Sequence, residues 1–238
     1  MGVKHCIVVG AGVIGSSVAY YLSREGVKVT LLDKGYPTYG ASGSCDQMTI
    51  AQSKTPNEHL LLALESIRMF KTLDRELNAD IEFEQKGGMV LIENEEEFDV
   101  MKDIVQKQKK LGLDIMLIEP DKAIKRQPGL RKESFIASTY SPVDGEVNPF
   151  RLTLAFIRAA ERNGAQFLPY HKVLNLRKEN GRVIGVNCEQ GVFEADMVVN
   201  ACGAWSPFLS NTVDVVLPIK PRRRQIFISE AVLPIIHH

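Results

Sequence analysis

The sequence predicts a mixed α/β fold, because two separated segments each combine a buried strand with a turn of small residues. The first segment, 7–33, is a strand, a glycine turn, a helix and a second strand that ends on an acid. The second segment, 193–206, is a hydrophobic strand over 193–200 that runs into a turn of small residues at 201–206. The residues between them show amphipathic helices and short strands instead, which predicts a second, α+β domain inserted into the first.

The turn of the first segment has the spacing G-x-G-x-x-G, and its three glycines have separate functions. Gly10 permits a tight turn off the strand, and Gly12 leaves the backbone open to a pyrophosphate. Gly15 lets the following helix pack close to the sheet. Together they predict a Rossmann-like domain.

The residues around the turn favour binding of a dinucleotide. The helix begins with the backbone N–H groups of Val13 and Ile14, and it presents the positive end of its dipole to a phosphate. Asp33, at the tip of the second strand, is placed to accept hydrogen bonds from a ribose diol. Ala19 faces the sheet at helical spacing, and Gly26 ends the helix. All the elements of a dinucleotide-binding unit, strand, glycine turn, helix and second strand, therefore surround the three glycines. We therefore predict an adenine dinucleotide site rather than a glycine-rich turn that binds nothing.

The remaining elements follow in order along the chain. A loop of turn-forming residues spans 35–45, and a loop of this length at the carboxyl edge of a sheet indicates function. Hydrophobic periodicity predicts an amphipathic helix over 57–77, and the charged segment 93–112 predicts an exposed helix. Further predicted elements are strands at 88–92, 114–118, 135–141 and 166–168, a helix capped by Asp121, a helix at 150–163 and a hairpin of 173–177 and 183–189.

We expect these elements to form two discontinuous domains. Residues 1–85 and 146–215 would form the dinucleotide-binding domain, since they contain the Rossmann-like strands and turns. Residues 86–145 and 216–238 would form a substrate or cap domain, incomplete in this chain.

The bulk composition excludes several classes of protein. Basic and acidic residues balance at 29 each, so no net charge recommends nucleic acid or an anionic membrane surface as a partner. The longest apolar runs are far too short to span a bilayer. The four cysteines form no C-x-x-C pair, which argues against a metal site or a disulfide framework and favours a cytoplasmic location.

Three motifs resemble a known family. The fingerprint of 8–33 continues into Lys34, and a Gly-Ala-Ser-Gly turn follows at 40–43. Residues 195–206 are similar to the pattern A-D-x-V-V-N-A-x-G-A-W-S. Together these motifs resemble the FAD-dependent D-amino acid oxidase superfamily, and most of all its branch of glycine oxidases, sarcosine oxidases and opine or hydroxyproline dehydrogenases.

This resemblance implies FAD as the cofactor and adds residues to its site. Ser42 would meet the phosphates or the ribityl chain, and Val173 would present its backbone to the adenine. Asp46, Gln47 and Met48 would lie beside the isoalloxazine ring.

The second small-residue turn would complete the site. Ala201 and Gly203 would let the backbone approach the dinucleotide, while Trp205 would cover one side. The full set of predicted cofactor-binding residues is Gly10, Gly12, Val13, Ile14, Gly15, Asp33, Lys34, Ser42, Asp46, Gln47, Met48, Val173, Ala201, Gly203 and Trp205.

The sequence also departs from the family. Asp33 stands where glutamate is commoner, and the Cys45-Asp46-Gln47 segment is bulkier and more polar than the small residues often found there. Members of the family continue well beyond the segment that resembles 218–228. We therefore expect that the chain lacks a C-terminal third, which a longer form or another polypeptide would supply.

The resemblance implies an FAD-dependent enzyme that oxidises the C–N bond of an amino acid or secondary amine. The substrate would be glycine, sarcosine, a D-amino acid or a proline- or opine-like compound, and hydride would pass to flavin N5. Whether the enzyme is an oxidase or a dehydrogenase stays open, as does a partner subunit or electron-acceptor protein. No catalytic residue is assigned, because His59 and His171 are isolated.

Three alternatives are weighed against this function. An NAD(P)-linked dehydrogenase would share 4–33 but has no reason to contain the turns at 40–43 and 201–206. A flavin hydroxylase would be expected to carry a late Gly-Asp motif, for which the chain offers no good candidate. The main alternative is a non-enzymatic role, as a subunit that carries FAD or docks onto a partner chain and is inactive without that partner.

Overall fold

The computed structural model describes residues 2–55, 57–226 and 230. These residues form twelve strands and six α-helices. The strands are β1 (His5–Val9), β2 (Lys28–Leu32), β3 (Met48–Thr49), β4 (Gly88–Ile92), β5 (Met116–Ile118), β6 (Ala137–Ser141), β7 (Gly145–Glu146), β8 (Gln166–Leu168), β9 (Val173–Glu179), β10 (Arg182–Cys188), β11 (Gly191–Glu194) and β12 (Met197–Asn200). The helices are α1 (Val13–Arg24), α2 (Asn57–Leu77), α3 (Glu95–Lys110), α4 (Pro120–Arg126), α5 (Pro149–Arg162) and α6 (Ser206–Ser210).

Contacts divide the described residues into two compact units. The first comprises residues 2–46, 75–81 and 148–226, and the second comprises 47–74 and 82–147. The second unit thus includes three stretches that are predicted to belong to the dinucleotide-binding domain, namely 47–74, 82–85 and 146–147. The assignment of one domain to cofactor and the other to substrate stays a prediction, and 227–229 and 231–238 lie outside the described residues.

A four-stranded parallel sheet organises the first unit. Its strand order is β12-β1-β2-β8, so β1 lies between β12 and β2 and all carboxyl ends meet at one edge. Because residues alternate faces along a strand, Ile7 and Val9 share one face, where they pack with Val186 and Cys188 of β10. β10 belongs to a separate antiparallel sheet of order β11-β10-β9.

Helix α1 packs closely because all of its buried residues except Tyr20 are small. Gly15, Ser16, Ala19 and Ser23 are among them, and α5 lies against the same helix. The helix ends at the predicted place, since Gly26 adopts a φ of +80° and its N–H donates to Ser23 O at 3.0 Å. The predicted α/β fold with a parallel sheet is confirmed.

The second unit is built on an antiparallel sheet of order β4-β6-β5, with a short β3-β7 pair beside it. Leu60 and Ile67 of α2 pack with Val105 of α3 and with Ile115. The amphipathic pattern of the sequence therefore gives the correct buried face for α2, whose bounds also match the prediction.

Two local predictions are wrong. The predicted strand over 193–200 is two strands in different sheets, because the Asp196 carboxylate interrupts it by accepting hydrogen bonds from the N–H groups of Lys4 and His5, both at 2.9 Å. Asp121 does not cap α4: Glu119 occupies the capping position, Pro120 is the first helical residue, and Asp121 pairs with Lys132.

Candidate dinucleotide site

The predicted glycine turn lies at the carboxyl edge of the parallel sheet. Gly10 has a φ of +109°, and its N–H donates to Leu32 O of β2 at 2.7 Å. A β-carbon on Gly10 would overlap the carbonyl oxygen of Ala201, which follows β12. Only glycine allows the ends of three neighbouring strands to meet this closely.

The start of α1 is open to an anion. Gly12 precedes the helix and provides no side-chain cap, and the first-turn N–H groups of a helix have no intrahelical partners. The N–H of Val13 donates to Ser42 Oγ at 3.0 Å, so the loop brings Ser42 to the helix terminus. Its contact with the cofactor, which the family resemblance implies, stays a prediction. Ile14 is two-thirds exposed, and Gly15 is held against the carbonyl of Gly10.

The carboxylate of Asp33 fixes the turn to the tip of β2. Its Oδ2 accepts a hydrogen bond from Ala11 N at 2.6 Å, and its Oδ1 accepts one from Gly35 N at 2.8 Å. Each carboxylate oxygen has a second lone pair, so these bonds leave acceptor capacity for a ribose hydroxyl. The structure thus adds to the predicted ribose contact a role in holding the glycine turn.

The loop 35–45 folds back on the glycine turn through Thr38, which sequence reasoning missed. Thr38 is buried, has a φ of +68°, and donates its N–H to Ala11 O at 3.2 Å. A β-carbon on Gly43 would overlap the Thr38 carbonyl. No sequence signal marks Thr38, because a β-branched residue is a poor candidate for a positive φ.

Lys34 and Trp205 are in direct contact. The Lys34 ammonium lies 3.7 Å from the centroid of the Trp205 ring and 5.5 Å from that of Tyr39. Trp205 is 45% exposed, so one face of this cluster is accessible to a ligand. Gly40 completes the cluster, since a β-carbon there would lie 3.5 Å from the Trp205 ring.

The turn after β12 is shaped by Asn200, a second residue that the predicted site omits. Its side-chain amide donates to Ser206 O at 2.9 Å and its carbonyl oxygen accepts from Cys202 N at 3.3 Å. Ala201 N donates to Val9 O at 2.9 Å, and Gly203 has a φ of +53°. The asparagine stands within the A-D-x-V-V-N motif, which was the available signal.

Cys202, near this edge, offers no nucleophile. Burial, with the nearby charge of Asp33, raises the pKa of the Cys202 thiol to about 12, and its Sγ lies 3.4 Å from Val9 O. Such a thiol stays protonated at neutral pH and is unreactive. Cys45 is exposed, and its Sγ lies 3.3 Å from Ser42 O.

The remaining predicted residues fall into two groups. Val173 opens β9 and packs against the core of the first unit, two residues after His171, whose N–H donates to Asp33 O at 2.7 Å. Asp46, Gln47 and Met48 are exposed, and Gln47 and Met48 belong to the second unit. Their roles beside adenine and isoalloxazine stay predictions.

Other features of the described residues do not compete with this site. No cluster of three or more His, Cys, Asp or Glu side chains there is arranged to hold a metal ion. In the part of the chain that the structure describes, no helix is long and apolar enough to cross a membrane. A shallow depression of about 330 Å³ lies in the second unit, and it is lined by Glu95, Phe98, Leu117, Ile118, Glu119, Ile136 and Ala137.

The residues at the sheet edge fit an adenine dinucleotide. A β-carbon at Gly12 would lie 3.0 Å from Ser42 Oγ and would fill the space between the loop and the helix terminus. The uncapped terminus attracts phosphate, and Asp33 offers an acceptor for ribose. These features describe a dinucleotide site but do not choose between NAD and FAD.

Comparison with known proteins makes that choice. The model of the family described as FAD-dependent oxidoreductase (DAO) matches residues 5–236. Glycine oxidase of Geobacillus kaustophilus is 30% identical over 236 residues, which cover 96% of this chain and 62% of that protein. Human mitochondrial dimethylglycine dehydrogenase is 26% identical over 227 residues, 95% of this chain and 26% of the enzyme.

Solved structures agree with the family match. L-proline dehydrogenase from P. horikoshii superposes with a TM-score of 0.83 at 28% identity, covering 89% of this chain and 56% of that one. The structure of the G. kaustophilus glycine oxidase gives a TM-score of 0.83 at 29% identity, with coverages of 90% and 59%. The chain thus spans between about a quarter and three fifths of these proteins. With its glycine turn, its Asp33-tipped strand and a family match over almost its full length, the chain belongs to the family of FAD-dependent oxidoreductases.

Proposed function

We propose that this chain binds FAD at the carboxyl edge of its parallel sheet and serves the oxidation of a C–N bond in an amino acid or secondary amine. The observation that carries the proposal is the meeting of Gly10, Asp33 and Ala201 at one edge, in a chain of an FAD-dependent family. An NAD(P)-linked dehydrogenase is disfavoured, because the family matched over 5–236 uses FAD.

The residues of the chain would act by binding and orienting. The N–H groups at the start of α1 would stabilise the pyrophosphate, and Ser42 would add a hydroxyl beside them. Asp33 would accept a hydrogen bond from the ribose, while Val173 would contribute its backbone near the adenine. Lys34 and Trp205 would line the same edge.

The bound flavin would supply the redox chemistry by accepting hydride at N5 from the substrate α-carbon. We assign no general base in this chain. The His171 ring nitrogen Nδ1 lies 2.8 Å from Pro169 O, and His59 is exposed on α2. The chain's contribution would therefore be orientation of the reacting groups and exclusion of water.

Small amino acids and amines are the proposed substrate class. Relatives or structural neighbours are named for glycine, dimethylglycine and L-proline. These compounds share a small carbon skeleton and an amine next to a carboxylate. Glycine, sarcosine, D-amino acids and proline- or opine-like compounds are therefore the substrates to test.

The test is a visible absorption spectrum of the purified chain after addition of FAD and removal of the excess. Retained flavin bands that bleach anaerobically with one of these amines would support the whole proposal. Re-oxidation by oxygen would then indicate an oxidase, and its failure would indicate a dehydrogenase with another acceptor. Absence of retained flavin would contradict FAD binding by this chain.

A matched pair of variants ties the result to the site. Asp33→Ala is expected to reduce flavin retention, because it removes both the ribose acceptor and two hydrogen bonds to the turn. Asp99→Ala, an exposed acid on α3, is the control and is expected to retain flavin as the wild type does. Equal loss in both variants would contradict the assigned site.

A second candidate is an FAD-carrying or docking subunit that needs a partner chain. The observation in its favour is that the mouse pyruvate dehydrogenase phosphatase regulatory subunit is 26% identical over 216 residues, 90% of this chain. Two Pseudomonas relatives are likewise named as subunits of hydrogen cyanide synthase. Flavin bands that are retained but never bleach with any of the amines would favour this candidate.

A further inference from the structure

The Lys34–Trp205 contact joins the two chain segments that flank the glycine turn. Lys34 follows β2, and Trp205 lies in the turn that follows β12. Since the strand order is β12-β1-β2, β1 and the turn at its carboxyl end lie between these two segments. An ammonium-to-ring distance of 3.7 Å is well within the range of a cation–π interaction.

The same contact includes the loop that provides Ser42. Tyr39 lies 5.5 Å from the Lys34 ammonium, and its ring meets Tyr36 edge to face with centroids 5.4 Å apart. Gly40 lies against the Trp205 ring, where a β-carbon would sit at 3.5 Å. Three segments that carry predicted cofactor residues are therefore held together by one cluster.

We infer that Lys34 and Trp205 act as one cofactor-positioning unit, in which Trp205 is a positioning residue that acts through Lys34. This inference rests on the proposed binding of FAD. Without the contact, the side chains of Lys34 and Trp205 would have to be ordered when the cofactor binds. A preformed contact removes that cost and so tightens binding.

The inference predicts a coupled effect on affinity. Neither side chain can maintain the contact alone. Once one of them is replaced, replacement of the other should therefore have no further effect on the affinity for FAD. If the two side chains contacted the cofactor independently, the fold-increases in Kd of the two single variants would multiply in the double variant. A double-mutant cycle distinguishes these two cases.

The experiment measures the Kd for FAD of the full chain by flavin titration. Lys34→Met and Trp205→Leu are each expected to weaken binding about fivefold, in line with a partly exposed cation–π contact. The double variant is expected to bind about as weakly as either single variant. Lys34→Arg and Trp205→Phe keep a cation and an aromatic ring, so they are expected to stay near the wild type.

The control is Lys28→Met, which removes an exposed lysine at the opposite end of the same strand. It should leave the Kd for FAD unchanged. Urea unfolding of each variant without FAD reports whether the fold is intact.

Trp205 provides a second readout that needs no cofactor, since it is the single tryptophan of the chain. Removal of the ammonium in Lys34→Met should shift the tryptophan emission of the FAD-free protein, whereas Lys28→Met should not. An unchanged emission spectrum in Lys34→Met would overturn the inference, because the contact would then be absent in solution.

The outcomes separate the inference from the function on which it rests. A wild-type chain that binds no FAD overturns both. FAD binding that is unchanged in the single variants, or multiplicative losses in the double variant, overturns the positioning unit alone. Tighter binding in either single variant also overturns it, because the contact would then have to break before the cofactor enters.

Discussion

At the scale of single residues, the glycine turn is determined by backbone carbonyls that leave no space for a side chain. A β-carbon on Gly15 would overlap the carbonyl oxygen of Gly10, so the start of α1 rests on the turn itself. Gly26, at the other end of the helix, has a φ of +80° but no atom within 4 Å of its β-carbon position. The two glycines are therefore required for different reasons, one for space and one for conformation.

These reasons predict different costs of substitution. Gly15→Ala should lower the free energy of unfolding by about 3 kcal/mol or more, because the backbone must shift to relieve the overlap. Gly26→Ala should cost only about 1–2 kcal/mol, the price of a left-handed conformation for alanine. Urea denaturation of both variants checks the order, and equal costs would contradict the close approach of the helix to the turn.

The Asp33 carboxylate provides a second prediction at this scale. Asp33→Ala leaves two backbone N–H groups without their acceptor, which should cost about 1–3 kcal/mol in the absence of FAD. Asp33→Asn keeps one acceptor oxygen and should cost less. The free energies of unfolding of the two variants test this, with Asp99→Ala as the exposed control expected within about 0.5 kcal/mol of the wild type.

Which residues of this site are visible in the sequence depends on how they act. Gly10, Gly12 and Asp33 follow from spacing, since a strand, a tight turn and a helix require them locally. Thr38 contributes through a positive φ, which its residue type does not signal in advance. Asn200 contributes through hydrogen bonds within a turn, and only its place in the A-D-x-V-V-N motif pointed to it. Ser42 is placed by the resemblance to a family and not by local physics.

At the scale of elements, helices α1 and α3 differ in what satisfies the N–H groups of their first turns. Asn94 caps α3 by accepting from Glu97 N at 2.9 Å, and Glu97 Oε2 accepts from Glu93 N at 2.9 Å. In contrast, α1 begins after Gly12 and receives the hydroxyl of Ser42 from the loop. The exposed helix is stabilised internally, while the site helix leaves N–H groups for a ligand.

Removal of the α3 cap tests this contrast. Asn94→Ala should lower the free energy of unfolding by about 1 kcal/mol, because the first turn of α3 loses a hydrogen-bond acceptor. Asn94→Asp keeps an acceptor and should remain close to the wild type. Chemical denaturation measures both, and an alanine variant as stable as the aspartate variant would show that the cap is unimportant.

Element prediction succeeded where periodicity was long and failed where a single polar residue interrupted a hydrophobic run. The bounds of α2 follow from its 3.6-residue pattern over 57–77. The run 193–200 has no such periodicity, and Asp196 lies between β11 and β12, where it accepts hydrogen bonds from the N–H groups of Lys4 and His5. These partners are about 190 residues away in sequence, so a local pattern does not reveal them.

At the scale of the whole molecule, each compact unit contains an aspartate whose surroundings shift its pKa, downward in the first unit and upward in the second. Backbone hydrogen bonds from His5 and Lys4 lower the pKa of Asp196 in the first unit. Burial raises the pKa of Asp144 in the second unit, although Ala51 N and Gln52 Nε2 donate to its oxygens at 2.8 Å each. Gly88 lies against this carboxylate, since a β-carbon there would lie 3.1 Å from Asp144 Oδ2.

The raised pKa of Asp144 determines a direction of pH dependence. An unfolded aspartate titrates near a pKa of about 3.9, and the folded Asp144 titrates at a higher pH. Between these two pKa values the unfolded chain has released the proton that the folded chain still holds. The free energy of unfolding therefore falls as pH rises through this interval and stays lower above it.

Asp144→Asn should remove this contribution while keeping the hydrogen-bonded network. The introduced carbonyl oxygen can still accept from Ala51 N, and Gln52 can invert its amide to accept from the new NH₂ group. Thr139, whose hydroxyl now donates to Gln52 Oε1, would then accept from Gln52 Nε2. The variant should thus gain stability relative to the wild type as pH rises above about 4. Urea denaturation between about pH 3 and pH 7 measures the difference, and parallel profiles for the two proteins would mean that Asp144 carries no buried charge.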